Sequence, residues 1–148
     1  MEQTLAPAQA EDILELDELW SFVACRKNKR WVWLALCRRT RQIVAYAVGP
    51  RSATICRVLW QRIPASYRTG VLYSDFWEAY QKVLPPEQHQ AVGKKSGQTN
   101  HIERWNNTLR QRLGRFVRKT LSFSKSDAMH AICLRLFLHE YNLLCLST

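Results

Sequence analysis

The stretch ILELDELWSFV, residues 13–23, decides how this chain folds, because it is the first of three closely spaced segments with the pattern of β-strands. Apolar and polar residues alternate along it, as in a strand with one buried face. The next two segments are RWVWLALCRR, residues 30–39, and QIVAYAVG, residues 42–49, each preceded by a short polar stretch. This spacing predicts three antiparallel strands joined as a meander.

After the meander, helical patterns alternate with short apolar runs. Residues 52–64 predict a helix that Pro64 ends. The apolar run after Gly70 predicts a buried strand that ends at Asp75, and a helix then continues until Pro85. A strand that returns after a helix is usually parallel to its neighbour in the sheet.

Two helices complete the chain, after a basic connection at residues 89–99 that has room for a short strand. The first helix begins at Thr99 or Asn100, and its apolar stripe is predicted to be Ile102, Trp105, Leu109 and Leu113. The second begins with Ser124 and Asp127 as a capping pair. Its core face is predicted to include Ile132, Leu136 and Leu143.

These elements predict an α/β domain over residues 11–148, with a mixed five-stranded sheet flanked by helices. Residues 1–10 show no periodicity and are expected to be a disordered lead-in.

The charge distribution favours a polyanionic partner. The net charge is +10, and residues 1–24 hold six acids and no base, so the remainder carries 22 bases against six acids. Such a field attracts nucleic acid, because each phosphate contact releases condensed counterions.

Composition also excludes several classes of protein. The longest apolar run, WVWLALC at residues 31–37, is too short to cross a bilayer, so a soluble intracellular protein is expected. The five cysteines are odd in number and lack zinc-finger spacing, which favours buried free thiols in a reducing compartment.

Three acids stand where core packing does not explain them. Asp17 interrupts the first strand, Asp75 ends the fourth, and Glu103 lies on a helix among arginines. Alternation places Glu15 and Ser21 on the same face as Asp17. Asp17 and Asp75 can meet if the first and fourth strands are neighbours, while Glu103 lies on a polar flank that also holds Asn107 and Arg110.

Converging carboxylates repel one another unless a cation lies between them. Hard oxygen ligands with open positions suit Mg²⁺ or Mn²⁺, and two such ions can promote in-line displacement at a phosphodiester. Each acid also has a structural alternative. Glu103 has capping-box spacing from Asn100, Asp75 can cap the following helix, and Asp17 can occupy an edge strand.

Four segments carry a family resemblance. DELWSFV, WVWLAL, YSDFWEAY and GQTNHIERWNNTLRQRLGRFVRKTLSFSKS resemble the transposase of the insertion-sequence-one family of bacterial mobile elements, from Glu11 to the C-terminus. The resemblance implies a ribonuclease-H-like domain that cleaves DNA at element ends and transfers the 3′-hydroxyl into target DNA. It also implies an Asp-Asp-Glu triad, which falls on Asp17, Asp75 and Glu103.

The resemblance implies further site residues and partners. A basic residue two helical turns beyond the Glu selects Arg110, and Asn107 faces the same way. The other side chains expected to contact DNA phosphates are Lys94, Lys95, Arg112, Arg115, Arg118 and Lys119. A homo-oligomer in the active complex and a bacterial, nucleoid-associated cytoplasmic location are expected by analogy.

The family's upstream DNA-binding portion has no counterpart here, so the chain resembles the downstream reading frame that a fusion joins to that portion. Two alternatives stay open. One is a structure-selective nuclease of the same fold, and the other is a DNA-binding fragment that regulates transposition without cutting.

Overall fold

The computed structural model of the chain describes residues 2–112 and 124–147, apart from the side chains of Glu2 and Arg26. Five strands form one sheet: β1 (Leu14–Val23), β2 (Cys25–Cys37), β3 (Ile43–Gly49), β4 (Leu72–Ser74) and β5 (His89–Ala91). The helices over the same residues are α1 (Ala53–Arg62), α2 (Glu78–Val83), α3 (Asn100–Arg112) and α4 (Asp127–Ser147), with short 3₁₀ turns at Glu2–Thr4, Ala65–Tyr67 and Lys94–Ser96.

The sheet is mixed, with strand order β3-β2-β1-β4-β5. The meander β1-β2-β3 is antiparallel, whereas β4 runs parallel to β1 and β5 runs parallel to β4. This confirms the predicted architecture. The crossover through α1 explains why β4 returns parallel beside β1.

Alternation along the strands sends side chains into two separate cores. Leu16 and Trp33 pack with α1 and α2 on one face, whereas Leu19 and Leu34 pack with α3 and α4 on the other. Because both faces are covered, the central strands are apolar on both sides, and a charged residue within them needs a partner.

Helix α4 is fixed against the sheet by polar contacts. Ser21 Oγ and His130 Nε2 lie 2.6 Å apart, and both residues are buried. Near the other end of the helix, the Asn142 amide bonds both the N–H and the carbonyl of Ile43, each at 2.9 Å. These contacts set which side of α4 faces the sheet.

The predicted core face of α4 is wrong. Ile132, Leu136 and Leu143 are 55%, 59% and 45% exposed, and Leu134 and Leu138 are buried instead. The helix is apolar around most of its circumference, and its inner side carries His130 and Asn142, which a sequence pattern assigns to the surface.

The predicted cap of α4 is also wrong. Ser126, rather than the pair Ser124 and Asp127, accepts the Met129 N–H on its hydroxyl at 3.2 Å. Ser124 is buried beside β1, where its carbonyl accepts the Ala24 N–H at 2.7 Å.

The other helices begin close to their predicted positions. Ser52 caps α1, but α2 begins at Glu78 rather than directly after Asp75. On α3, the predicted stripe residues Ile102, Trp105 and Leu109 are buried, and Leu113 lies outside the described residues.

Two further expectations differ from the structure. The lead-in makes hydrogen bonds: the buried side chain of Gln42 donates to Thr4 and accepts from Ala6. Among the thiols, Cys37 and Cys56 are buried as expected, but Cys25 is exposed at the turn between β1 and β2. Within the described residues, no helix is both apolar enough and long enough to cross a membrane.

Candidate functional site

The parallel pairing of β1 with β4 brings two of the predicted acids together. Leu14 pairs with Leu72 and Glu15 with Tyr73. Two positions further along each strand stand Asp17 and Asp75. Oxygens of Asp17, Asp75 and Glu18 all lie within 4.8 Å of one another, so this end of the sheet carries a compact group of carboxylates.

Helix α3 adds the third predicted acid to the same place. A cleft of about 350 Å³ is lined mostly by acidic, basic and amide side chains, which come from β1, from α3 and from the segments that precede α1 and follow β4 and β5. These lining residues are Asp17, Glu18, Trp31, Arg51, Asp75, Lys94, Glu103, Asn106, Asn107 and Arg110. Glu103 lies outside the compact group, but its charge acts on Asp17 across the cleft.

Glu15 holds α3 in position. Its side chain is fully buried, and one oxygen accepts the backbone N–H groups of His101 and Ile102 at 2.9 and 3.1 Å. The other oxygen lies 2.6 Å from His101 Nδ1 and 3.0 Å from Arg38 Nε. A strand residue two positions from Asp17 therefore caps the helix that carries Glu103.

Glu15, rather than Glu103, caps the amino-terminal end of α3. The free amides of the first turn of α3 bond Glu15, and Glu103 Oε1 instead accepts the Thr99 hydroxyl at 3.1 Å. His101, whose role the sequence leaves open, has its imidazole in the same Glu15 contact. Glu103 is left beside the cleft without being the helix cap.

Asp17 lies in an environment that disfavours its charge. Burial, the negative charge of Glu18 and the weaker effects of the charges on Asp75 and Glu103 raise the pKa of Asp17 to about 7. Its oxygens accept from the Glu18 N–H and from Asn106 Nδ2, each at 2.9 Å. Positive charge in the cleft would relieve this repulsion, and a set of hard carboxylate oxygens fits a divalent cation such as Mg²⁺ or Mn²⁺.

Asp75 partly fulfils its alternative role as a cap. Its Oδ1 accepts the Trp77 N–H at 2.9 Å, which closes the turn before α2. The carboxylate nevertheless stays within reach of Asp17 and Glu18. The two roles are therefore compatible in one side chain.

Glu18 and Asn106 belong to the cleft but were missed from the sequence. Glu18 accepts from Tyr80 Oη at 2.5 Å and from Arg51 at 2.8 and 3.0 Å, and its pKa is raised by burial. A charged residue on the otherwise apolar face of β1 was the signal for Glu18. Asn106 is buried one turn beyond Glu103, in line with the apolar stripe of α3.

The residues predicted to contact DNA, which are basic except for Asn107, fall in three places. Lys94, Asn107 and Arg110 line the cleft. Lys95 is exposed beside Lys94, and Arg112 is exposed at the last residue of α3. Arg115, Arg118 and Lys119 lie outside the described residues.

One exposed aromatic side chain borders the acids. Trp77 packs against Trp33, with ring centroids 5.3 Å apart, and lies under the Arg51 guanidinium at 4.3 Å. Trp20 lies under the Lys29 ammonium group at 4.7 Å. Phe76, next to Asp75, is 62% exposed, so its ring is the more accessible surface for a flat ligand.

Comparison with known sequences and structures identifies related proteins. The profile of the IS1 transposase family matches residues 12–143. The insertion element iso-IS1n protein InsB of Shigella dysenteriae is 38% identical over 129 residues, which is 87% of this chain and 95% of that protein. The insertion element IS1 protein InsB of Shigella flexneri is 38% identical over 117 residues, covering 78% and 86% of the two chains. The corresponding IS1 4 protein of Escherichia coli strain K12 is 36% identical, covering 78% and 67%.

A solved structure supports the fold. A chain in the cryo-electron microscopy structure of the simian T-cell lymphotropic virus intasome, in complex with PP2A regulatory subunit B56 gamma, matches with a TM-score of 0.59. The match covers 87% of this chain but 48% of that one, at 10% identity, and so shows the fold alone. The fold is the ribonuclease-H-like α/β class.

Proposed function

Because this chain belongs to the IS1 transposase family, we propose that it is the catalytic domain of a DNA transposase and that the acidic cleft is its active site. One observation carries the proposal: Asp17, Asp75 and Glu103, far apart in the sequence, line a single cleft. Asp75 directly follows the carboxyl end of β4, where ligands usually bind in α/β sheets, and Asp17 lies on the neighbouring parallel strand β1.

Asp17, Asp75 and Glu103 are the residues that would hold Mg²⁺ or Mn²⁺, with two ions in our proposal. When bound, such ions supply positive charge to the phosphodiester and make an attacking hydroxyl more acidic. Glu18 contributes negative charge nearby, but both of its oxygens already accept from Tyr80 and Arg51. We therefore assign Glu18 a positioning role through Arg51.

The remaining cleft residues bind and orient DNA. Lys94, Arg110 and the exposed Arg112 neutralise phosphates along the rim. Asn106 orients the Asp17 carboxylate, and Phe76 offers its ring to an unpaired base.

Two exchanges of phosphorus–oxygen bonds make up the reaction. In the first, a water oxygen bonds to phosphorus at the element's end, and the 3′-oxygen leaves with a proton as a free hydroxyl. In the second, that hydroxyl bonds to a phosphorus of target DNA, loses its proton and displaces the target's own 3′-oxygen.

Recognition of the element's ends is proposed to need an upstream DNA-binding portion joined to this chain. The active complex is proposed to contain more than one copy. Both proposals are drawn from the family to which the chain belongs.

The test is a strand-transfer assay with a purified fusion of this chain to the upstream DNA-binding portion, short DNA ends that already carry a 3′-hydroxyl, and a supercoiled target in Mg²⁺ or Mn²⁺. Asp17→Asn, Asp75→Asn and Glu103→Gln should each lower joining by at least about 100-fold, because each removes a charged ligand. Glu87→Gln, at an exposed acid away from the cleft, should join at the wild-type rate. Wild-type joining by any of the three cleft variants would contradict its assignment.

Other outcomes identify the alternatives. Hydrolysis of DNA without joined products would indicate a nuclease. A gel shift that persists in EDTA, with neither cleavage nor joining in either metal, would indicate a DNA-binding regulator. Glu18→Gln should retain partial joining activity if Glu103 is the third metal ligand. If Glu18→Gln abolishes joining and Glu103→Gln retains it, Glu18 is the ligand instead of Glu103.

A further inference from the structure

Helix α4 presents a continuous apolar stripe to solvent. Seven large apolar side chains in the described part of the chain are exposed, and six of them lie on α4. Five of those six fall in one line with the exposed His139. The members of this stripe are Met129, Ile132, Leu136, His139, Leu143 and Leu146.

The spacing along the stripe is that of a coiled coil. Successive members are three, four, three, four and three residues apart, which are the a and d positions of a heptad repeat. The 21 residues of α4 make a rod of about 31 Å, which is three heptads long. The contacts of His130 with Ser21 and of Asn142 with Ile43 fix the rotation of the helix, so the stripe stays on the outer side.

Charges beside the stripe indicate which partner fits. Arg135 directly precedes Leu136 and Glu140 directly follows His139, so they occupy g and e positions five residues apart, and both are exposed. In a parallel pair of identical helices, g of one copy lies beside the following e of the other, which places Arg135 next to Glu140 twice. In an antiparallel pair, g faces g and e faces e, which brings like charges together.

We propose that α4 is a dimerisation helix that pairs in parallel with α4 of a second copy of this chain, through the stripe and two Arg135–Glu140 contacts. The two domains then lie on opposite outer sides of the helix pair, because each α4 contacts its own sheet through the other face. This proposal does not depend on the proposed reaction. His139, a polar residue at a d position, weakens the pair relative to an all-apolar stripe while favouring the in-register alignment.

The first test measures the mass of the full chain by sedimentation equilibrium over a micromolar concentration series. The wild type should dimerise, and Leu136→Glu should weaken association by at least about 100-fold, because it places like charges at a buried seam. Leu144→Glu is the matched control: Leu144 is 59% exposed, as Leu136 is, but lies off the stripe. Circular dichroism of each variant checks that the fold is kept.

The second test examines the charge pairs and the direction of the helices. Arg135→Glu and Glu140→Arg should each weaken the homodimer by several-fold, and the double variant should restore it, which only the parallel arrangement explains. His139→Cys should form an intermolecular disulfide under mild oxidation, because the same d residue meets itself in a parallel pair. The wild-type chain gives the background from the exposed Cys25.

Three results would overturn the proposal. They are a monomeric wild type throughout the series, equal weakening by Leu136→Glu and Leu144→Glu, and a double charge variant no tighter than the single ones.

Discussion

The Asp17 carboxylate is held in the folded sheet close to other negative charges. The carboxylate lies among Glu18, Asp75 and Glu103, with two neutral donors, the Glu18 N–H and Asn106, to offset its burial. Asn106 Oδ1 is buried without a hydrogen-bond partner among the described residues. If the Asn106 amide rotates, this oxygen can accept a hydrogen bond from a neutral side chain at position 17. The site therefore accommodates a neutral residue 17 at low structural cost.

Asp17→Asn should stabilise the protein when divalent ions are removed. The folded-state pKa of about 7 lies above the ordinary 3.8, so the folded state binds the proton more tightly, and the contribution of Asp17 to wild-type stability falls as pH rises from about 4 to 7. At pH 8 in EDTA, the variant should gain on the order of 2–4 kcal/mol in free energy of unfolding, measured by urea denaturation.

Two comparisons complete that measurement. Glu87→Gln, an exposed neutralisation, should change stability by less than about 0.5 kcal/mol. Added Mg²⁺ or Mn²⁺ should raise the stability of the wild type more than that of Asp17→Asn. A variant less stable than the wild type in EDTA at pH 8 would show that Asp17 is not under repulsion.

At the scale of an element, α3 depends on a residue outside itself. Glu15 binds its first two free amides, the His101 ring and Arg38 from a fully buried position. The strand and the helix thereby form one unit. The contact thereby helps to fix the position of Glu103 relative to Asp17.

Burial raises the pKa of Glu15, but Glu15→Gln should still destabilise the protein by about 2–4 kcal/mol, because an amide nitrogen in place of Oε2 cannot accept from Arg38. Joining activity should fall as well, since α3 carries Glu103. Glu11→Gln, an exposed change nearby in the chain, serves as the control for both measurements. Wild-type stability of Glu15→Gln would remove the capping role.

The contribution of His130, on α4, to folding stability is expected to depend on pH. Burial lowers the pKa of His130 from the ordinary 6.5, with Asp127 opposing and Arg30 reinforcing the shift. The unfolded state therefore binds the proton more tightly, so this contribution to stability is complete above about pH 6.5 and is lost as pH falls toward the folded-state pKa.

His130→Gln should flatten the change in urea midpoint between pH 7 and pH 5 relative to the wild type. The groups with other shifts, including His89 and Glu18, are unchanged in the variant and cancel in the comparison. Parallel pH curves for the two proteins would show that the His130 imidazole is not kept neutral by folding.

At the scale of the whole molecule, the net charge of +10 should make DNA affinity strongly dependent on salt. Lys94→Gln should reduce the slope of log affinity against log salt by about 0.9, because it removes one phosphate contact. Arg57→Gln, exposed on α1 across the sheet from α3, should leave the slope unchanged. Fluorescence anisotropy with a short duplex from 50 to 200 mM salt measures both, and equal slopes for wild type and Lys94→Gln would exclude Lys94 from the interface.

The fold was predictable where local patterns and tertiary contacts agree. Alternation in β1 places Glu15, Asp17 and Ser21 on one face, and the structure gives all three partners on α3 or α4. The outer face of α4 was mistaken for its core because the polar residues that bind the sheet, His130 and Asn142, resemble surface residues in sequence.

The convergence of Asp17, Asp75 and Glu103 on one cleft was predictable for the same reason. The parallel return of β4 brings Asp75 beside Asp17, as the strand pattern indicates. Glu18 escaped prediction because its partners, Arg51 and Tyr80, come from segments that no local pattern connects to β1.

The cap that Glu15 forms on α3 also implies an order of folding during synthesis on the ribosome. The amino-terminal meander can pair as it emerges, whereas the His101 and Ile102 amides of α3 bond Glu15, on a strand that must already be in place. Glu103 is thus delivered to the cleft only after most of the polypeptide has left the exit tunnel. A nascent chain that has not yet reached α3 therefore lacks one of the three acids of the proposed active site.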